Sequence, residues 1–475
     1  MGHKHHHHHN KYKGRRGFIK QMSCAALGSA TFLSTINSLR AANAAAISNS
    51  AVMLGGEYKA LVCFMMSGGN DSFNMLVPRG SAEYAEYATT RTNQALDQNE
   101  LLPINPITSD GKSYGLHPAM TNMQNLFESE DLAFISNVGT LAEPLSREQY
   151  EQGTAGMPLG LFSHSDQQRQ WQTAIPTDRS SLGWGGKIAD LMYETNTNQN
   201  ISMNISLSGS NTFQTGNSFA EFSIHPEYGI SRILGYSDNW QSAQLRAQAI
   251  DNMLDAHHTD IFKKSYIDIL KNAKNGSEDF IGALDNVTPF TTQFSYNDIS
   301  QSMHMIAKTI KSRDVLGMKR QIFFVNFDGW DHHDEVLQSQ NEMLGIVDVA
   351  LGEFKAAMDE INMNDCVTTF GVSEFGRTLT SNGNGTDHAW GGNVFVMGGA
   401  VKGRDIYGTF PSLELNSELE IGGGVLIPTI STDSYFAELS KWFGVSNTDL
   451  PIILPNVGNF YNTAGTDLPI GFMDI

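Results

Sequence analysis

The chain has 475 residues, with 31 Lys+Arg against 50 Asp+Glu, for a formal charge of −19. At 40% hydrophobic and 17% charged it has apolar side chains enough for a large core and too few charges for a disordered chain. The acidic balance argues against a nucleic-acid binder, and the absence of a membrane-spanning apolar run argues against an integral membrane protein. Three cysteines (Cys24, Cys63 and Cys366) are too few for a disulfide scaffold or a Cys-type zinc site.

The first segment reads as an address. Residues 1–46 carry seven Lys or Arg and no acid, and the first acid of the chain is Glu57. A basic stretch, Arg15-Arg16-Gly17-Phe18-Ile19-Lys20, precedes a weakly apolar run from Met22 to Ile36 and then Ala42-Asn43-Ala44-Ala45-Ala46. A positive start, a short apolar stretch and an A-x-A site make a signal peptide, and the paired arginines predict export of the folded chain by the twin-arginine machinery. The expected location is periplasmic or secreted. His5 to His9 read as a metal-binding tract or an expression tag. Removal of this segment leaves 24 basic and 50 acidic residues, a net charge of −26.

Five apolar runs follow, each ending in Gly, Asn, Asp or Ser. They are Leu61–Met66, Leu132–Ser136, Gln321–Phe327, Cys366–Val372 and Asn393–Met397. Uninterrupted apolar strands predict a mostly parallel sheet sandwiched by helices, with ligands gathered beyond the carboxyl ends of the strands. Cys63 and Cys366 fall in two of these runs and read as buried thiols, with a disulfide open if their strands are neighbours. Helices are predicted over 242–272, 297–312, 336–361 and 433–443. Residues 47–475 read as a single α/β domain, with roughly 190–320 as a helical cap or insertion.

Four polar clusters carry the candidate chemistry. They are Gly68-Gly69-Asn70-Asp71-Ser72, Ser163-His164-Ser165-Asp166-Gln167-Gln168, Asp328-Gly329-Trp330-Asp331-His332-His333, and Ser373-Glu374-Phe375-Gly376-Arg377 with Gly385-Thr386-Asp387-His388. A hydrolytic site with divalent ions draws carboxylates and imidazoles from several strand ends, and Asp71, Asp331, His333, Glu374, Asp387 and His388 could supply them. Each cluster also has a plain structural reading. Asp71 could cap the following helix, and Glu374 and Arg377 could form an ion pair. Ser165 and Gln168 could form a capping box. Alternatively Ser163 or Ser165, at a helix N-terminus, could be a nucleophile, with Ser72 a weaker candidate and His164 a ligand or proton donor.

Together these stretches resemble the secreted family catalogued as domain of unknown function fifteen hundred and one, itself similar to the alkaline phosphatase and sulfatase superfamily. The ending Ile427-Pro428-Thr429 to Trp442-Phe443-Gly444 is part of the resemblance. It implies an alkaline-phosphatase-like fold and divalent ions (zinc, manganese or calcium). Asp71, Asp331, His333, Glu374 and His388 are the implied ligands, with Asp387 beside the last. Phe375 stands where the superfamily has a His, which implies one ligand missing or replaced by Asp387 or His164. Arg377 is expected to hold an anionic substrate oxygen. The implied activity is hydrolysis of a phosphate or sulfate ester on a small molecule or polysaccharide, with a water or a Ser as nucleophile. The rival expectation is a non-catalytic metal- or glycan-binding envelope protein on the same fold.

Overall fold

The structure, a computed structural model, describes residues 58–230, 240–256 and 259–475. The leader, the histidine run and Cys24 lie outside the described residues. Twelve strands are described: β1 (Lys59–Ser67), β2 (Leu76–Pro78), β3 (Leu102–Ile104), β4 (Tyr114–Leu116), β5 (Leu132–Gly139), β6 (Asn204–Ser206), β7 (Phe222–Ser223), β8 (Arg320–Asp328), β9 (Val367–Val372), β10 (Gly392–Met397), β11 (Ile406–Tyr407) and β12 (Ile430–Ser431). Nine form one sheet in the order β11-β5-β10-β9-β1-β8-β6-β7, with β12 also pairing β5. A small antiparallel sheet, β2-β4-β3, stands apart.

All five apolar runs are strands, and β1 lies at the middle, parallel to both β8 and β9. Its side chains are buried on both faces. Val62, Phe64 and Met66 enter the main core, while Cys63 and Met65 face Trp171, Trp184 and Phe436. Each fully buried side chain of this size contributes about 1.5–3 kcal/mol relative to exposure. One face is covered by the helices Asp298–Lys311 and Val336–Glu360. In the first, Ile299, Met303, Ile306 and Ile310 recur at helical spacing and are buried. The Asn297 side chain caps that helix by accepting the Ser300 N–H. The other face is covered by Trp184–Met192 and Thr432–Phe443, where Trp184 stacks on Phe436 at 4.6 Å.

Three details differ from the sequence reading. The helix predicted over 242–272 is two helices, Gln241–Asp255 and Ile261–Asp285. The strand β10, taken as one more parallel strand, runs antiparallel to β9 and β5. Antiparallel neighbours need no crossover, so the connection 373–391 stays at the edge of the sheet where β1, β8 and β9 end. Both halves of the fourth polar cluster ride on that connection. The segment 190–320 also contributes β6 and β7 to the main sheet as well as helices. No disulfide joins Cys63 to Cys366. Their strands are neighbours, but Cys63 stands opposite Phe370, while Cys366 precedes Val367, which stands opposite Ala60. Among the described residues no helix is long and apolar enough to cross a membrane.

Candidate metal centre

Three loops meet at the carboxyl edge of β1, β8 and β9. The turn after β1 brings Gly68, with φ at +123°, against the loop after β8. A Cβ there would lie 2.4 Å from the Asp331 nitrogen and 2.6 Å from that of Trp330, so only glycine lets the two backbones approach this closely. The fully buried Trp330 anchors the second loop. In the third, a Cβ on Gly385 would lie 2.3 Å from the carbonyl carbon of His333, which packs the 373–391 connection onto the β8 loop.

At this junction three imidazoles converge on one carboxylate. His388 Nε2 lies 3.2 Å and His333 Nε2 3.1 Å from Asp331 Oδ1, and His164 Nε2 lies 3.3 Å from Asp331 Oδ2. His388 Nε2 is also 3.0 Å from the Nε2 atoms of both His164 and His333. The other ring nitrogens all face acceptors. His388 Nδ1 is 2.8 Å from the Phe162 carbonyl, His164 Nδ1 is 2.9 Å from Glu374 Oε1, and His333 Nδ1 is 3.1 Å from Asp387 Oδ1. Assigned from these partners, every Nδ1 carries the proton, and in neutral rings every Nε2 turns a bare lone pair inward. Two facing lone pairs at 3.0 Å do not bond to each other. A proton or a cation between them does satisfy them.

The donor set fits a cation. Tetrahedral ligands at about 2.0–2.1 Å from zinc stand about 3.3 Å from one another, and the five donor separations above run from 3.0 to 3.3 Å. His164, Asp331 and His388 form a group able to hold a metal, and His333 adjoins it through the contacts just given. A carboxylate or carbonyl behind each imidazole fixes the tautomer and orients the ring, as at metal-ligating histidines generally. The centre is open on one side, with His164, His333, His388 and Asp331 side chains between 24% and 45% exposed.

The electrostatics follow from these contacts. Hydrogen bonding to Glu374 holds the His164 pKa above its ordinary value despite partial burial. Burial opposes ionisation of Asp331, but the Arg377 hydrogen bond and charge outweigh it and leave the carboxyl below its usual range. Burial lowers the His388 pKa. The Asn382 amide, together with His333, lowers that of Asp387.

The remaining candidates stand behind this centre or apart from it. Glu374, fully buried, accepts from the Gly68 N–H at 2.8 Å, from Gln168 at 2.9 Å and from His164, so it supports a ligand. Asp387 supports His333 in the same way. Asp71 was expected as a ligand, but its Oδ2 is paired at 2.5 Å with Arg91, both side chains fully buried. Its side chain makes no helix cap, and its Oδ1 has no partner. Arg377 was expected to meet substrate, but its side chain is buried and its donors are taken by Asp331 Oδ1, the Gly68 carbonyl and Thr386. It holds Asp331 from beneath. Ser163, not Ser165, is the N-cap residue of the helix His164–Thr173, and Gln168 turns to Glu374, so the predicted capping box does not form. The two seryl oxygens lie 3.3 Å apart. Ser72, buried, accepts from the Asn393 N–H. Phe375 lies flat beside His388 at 4.7 Å and contacts His164 at 4.9 Å, an apolar wall against two of the imidazoles. The sequence reading missed Arg91, which sits at the end of an ordinary amphipathic helix with nothing nearby in the chain to mark it. It also missed the carbonyl of Phe162, a backbone group that no side-chain pattern reveals.

Residues 243–421 match the family model described as "Protein of unknown function (DUF1501)". That span holds Asp331, His333, Glu374, Arg377, Asp387 and His388, and it leaves Asp71, Arg91 and His164 outside. No curated protein matches the chain. Among solved structures, the chain is similar to Ps i-CgsB in complex with k-i-k-neocarrahexaose, at 12% identity and a TM-score of 0.31 over 85% of this chain and 78% of that one. It is also similar to the PsFucS1 sulfatase from Pseudoalteromonas sp., at 8% identity and a TM-score of 0.37 over 87% and 72%. A third likeness is to alkaline phosphatase from the Antarctic bacterium TAB5, at 10% identity and a TM-score of 0.26 over 72% and 92%. Superpositions this loose carry nothing about the chemistry of this chain.

Proposed function

We propose that this chain is a cation-dependent hydrolase of phosphate or sulfate esters, acting outside the cytoplasm after twin-arginine export. The observation that carries the reading is the convergence of three inward-facing imidazole nitrogens on Asp331 at an open edge of the sheet. Imidazoles with one carboxylate suit zinc or manganese, whereas calcium takes oxygen ligands. A divalent ion at this centre supplies positive charge to bind an ester oxygen and to offset negative charge as the ester is cleaved. Glu374, Asp387 and the Phe162 carbonyl hold the three rings in register. Arg377 fixes Asp331, and Phe375 excludes water from one flank.

The test is turnover by the exported chain, loaded with zinc or manganese, of p-nitrophenyl phosphate and p-nitrophenyl sulfate. Release of nitrophenol that stops on chelation and in His388→Ala supports the reading. No release from either ester by metal-loaded protein contradicts it. One feature favours a second reading, a non-catalytic metal-binding protein. The centre offers four protein donors, and a structural ion has a filled shell of four. Binding of the metal with no turnover is the result that reading expects.

A further inference from the structure

A cleft of about 690 Å³ opens one strand away from the imidazoles, among β6, the chain following β7 and the start of the helix Asp298–Lys311. Its chemistry is unlike that of the metal centre. Among the described residues no Lys or Arg lines it, and Glu227 and Asp298 are its carboxylates. Such a surface repels phosphate and sulfate, so the anionic part of a substrate does not belong there. The rest of the polar lining is the His225 imidazole with amides and hydroxyls, among them Asn326, Gln301, Ser208 and Ser223. Amides both donate and accept, carboxylates accept, and hydroxyls do either.

The rim adds flat aromatic surface. Tyr296, in the lining, is 87% exposed. Tyr228 is 75% exposed and stacks on His225 at 4.7 Å with the rings 24° apart. An open aromatic face beside amides and carboxylates suits an uncharged, polyhydroxylated ring. The C–H groups of a pyranose lie against the aromatic face while its hydroxyls reach the amides and acids. A nucleotide would need a fixed cation for its phosphates, and among the described residues no Lys or Arg lines this cleft.

The cleft and the metal centre share a wall. Asn326 accepts a hydrogen bond of 2.5 Å from the Ser67 hydroxyl. The next residue, Gly68, donates its N–H to Glu374 and offers its carbonyl to Arg377. Asn326 also precedes Asp331 by five residues, which limits their separation to about 18 Å even in a fully extended chain. We infer that the cleft is a sugar-binding subsite, which takes neutral rings of a glycan whose ester group reaches the imidazole centre. The link to the ester rests on the hydrolase reading, whereas the binding of sugar does not.

The experiment is titration of the exported chain with neutral, unesterified oligosaccharides (cello-, xylo-, manno-, malto- and agaro-hexaoses), with and without chelator. The expected result is binding of at least one of them that survives chelation and survives His388→Ala. Tyr296→Ala should weaken that binding by about tenfold, the scale of one aromatic contact, while Tyr296→Phe keeps it. Because Tyr296 is so exposed, neither variant threatens the fold. Failure of every oligosaccharide to bind, or binding indifferent to Tyr296→Ala, overturns the proposal. Binding lost in His388→Ala overturns it as well, since the sugar would then sit at the metal centre. Sugar binding without ester turnover leaves the subsite standing and removes the hydrolase reading, and turnover without sugar binding does the reverse.

Discussion

Asp71 and Asp331 leave neighbouring strands of one sheet, each within a few residues of the strand end and each beside a buried arginine, yet their surroundings diverge. Asp331 is 42% exposed and is met by three imidazoles as well as Arg377. Asp71 is fully buried, and among the described residues Arg91 is the side chain that pairs with its charge. A buried carboxylate needs a counter-charge, and a fixed guanidinium supplies one without any ion. Two acids that look alike in the chain thus divide into a candidate ligand and a structural ion pair, and what divides them is the charge that other parts of the fold bring to each.

The ion pair that holds Asp71 is removed by a change at Arg91. Replacing it with Met leaves Asp71 buried and uncompensated, and the expected cost is about 3–5 kcal/mol in denaturant unfolding. The double variant Arg91→Met with Asp71→Asn should recover much of that loss. A single variant as stable as the native chain would show that the pair is not what holds Asp71. At the other acid, Glu374→Gln removes the carboxylate behind His164. It should weaken zinc binding about 10–100-fold by competition with a chelator, with little change in fold. Undiminished affinity would remove Glu374 from the support of the centre.

Gly68 joins the two regions. Gly68→Ala strains a left-handed backbone and pushes a Cβ into the Asp331 loop, and the expected outcome is a lower melting temperature together with weaker zinc uptake. A change in one without the other would uncouple the two loops.

A pH-dependent effect is expected at Asp433, a buried acid away from the metal centre. Burial pushes the Asp433 carboxyl from 3.8 up to about 8, with Lys187 opposing it. The folded chain keeps a proton that the unfolded chain has lost, so stability falls as pH rises from 3.8 to about 8. Lys187, pushed down to about 8 by burial, acts with the opposite sign above that. Melting curves of Asp433→Asn should therefore be flatter than native ones between pH 4 and pH 8. Parallel curves would contradict the assignment.

Much of this was legible in the chain. Runs such as Leu61–Met66 and Gln321–Phe327 mark strands because a strand buried on both faces must be apolar throughout, and the polar residues after them mark the site edge. His333, His388 and Asp331 stood out because they interrupt such patterns. Roles within the clusters were less legible. Glu374, Asp387 and Asp331 are all acids at turns, and only the fold decides which faces inward and which stands behind a ring. The direction of β10 was hidden because an apolar run reads the same both ways. Arg91 was hidden because its partner lies 20 residues away in the chain, on another element. The start of the helix at His164 was misplaced by two residues because Ser163 and Ser165 are equally good caps on paper.

The most direct test of the account is the metal content of the exported, tag-free chain by mass spectrometry, beside the variants Asp331→Ala and His388→Ala. The account predicts about one divalent ion per native chain and little in either variant, with folding of all three verified by circular dichroism. Native protein that is well folded and takes up no zinc or manganese, or variants that bind as much as the native chain, would contradict it.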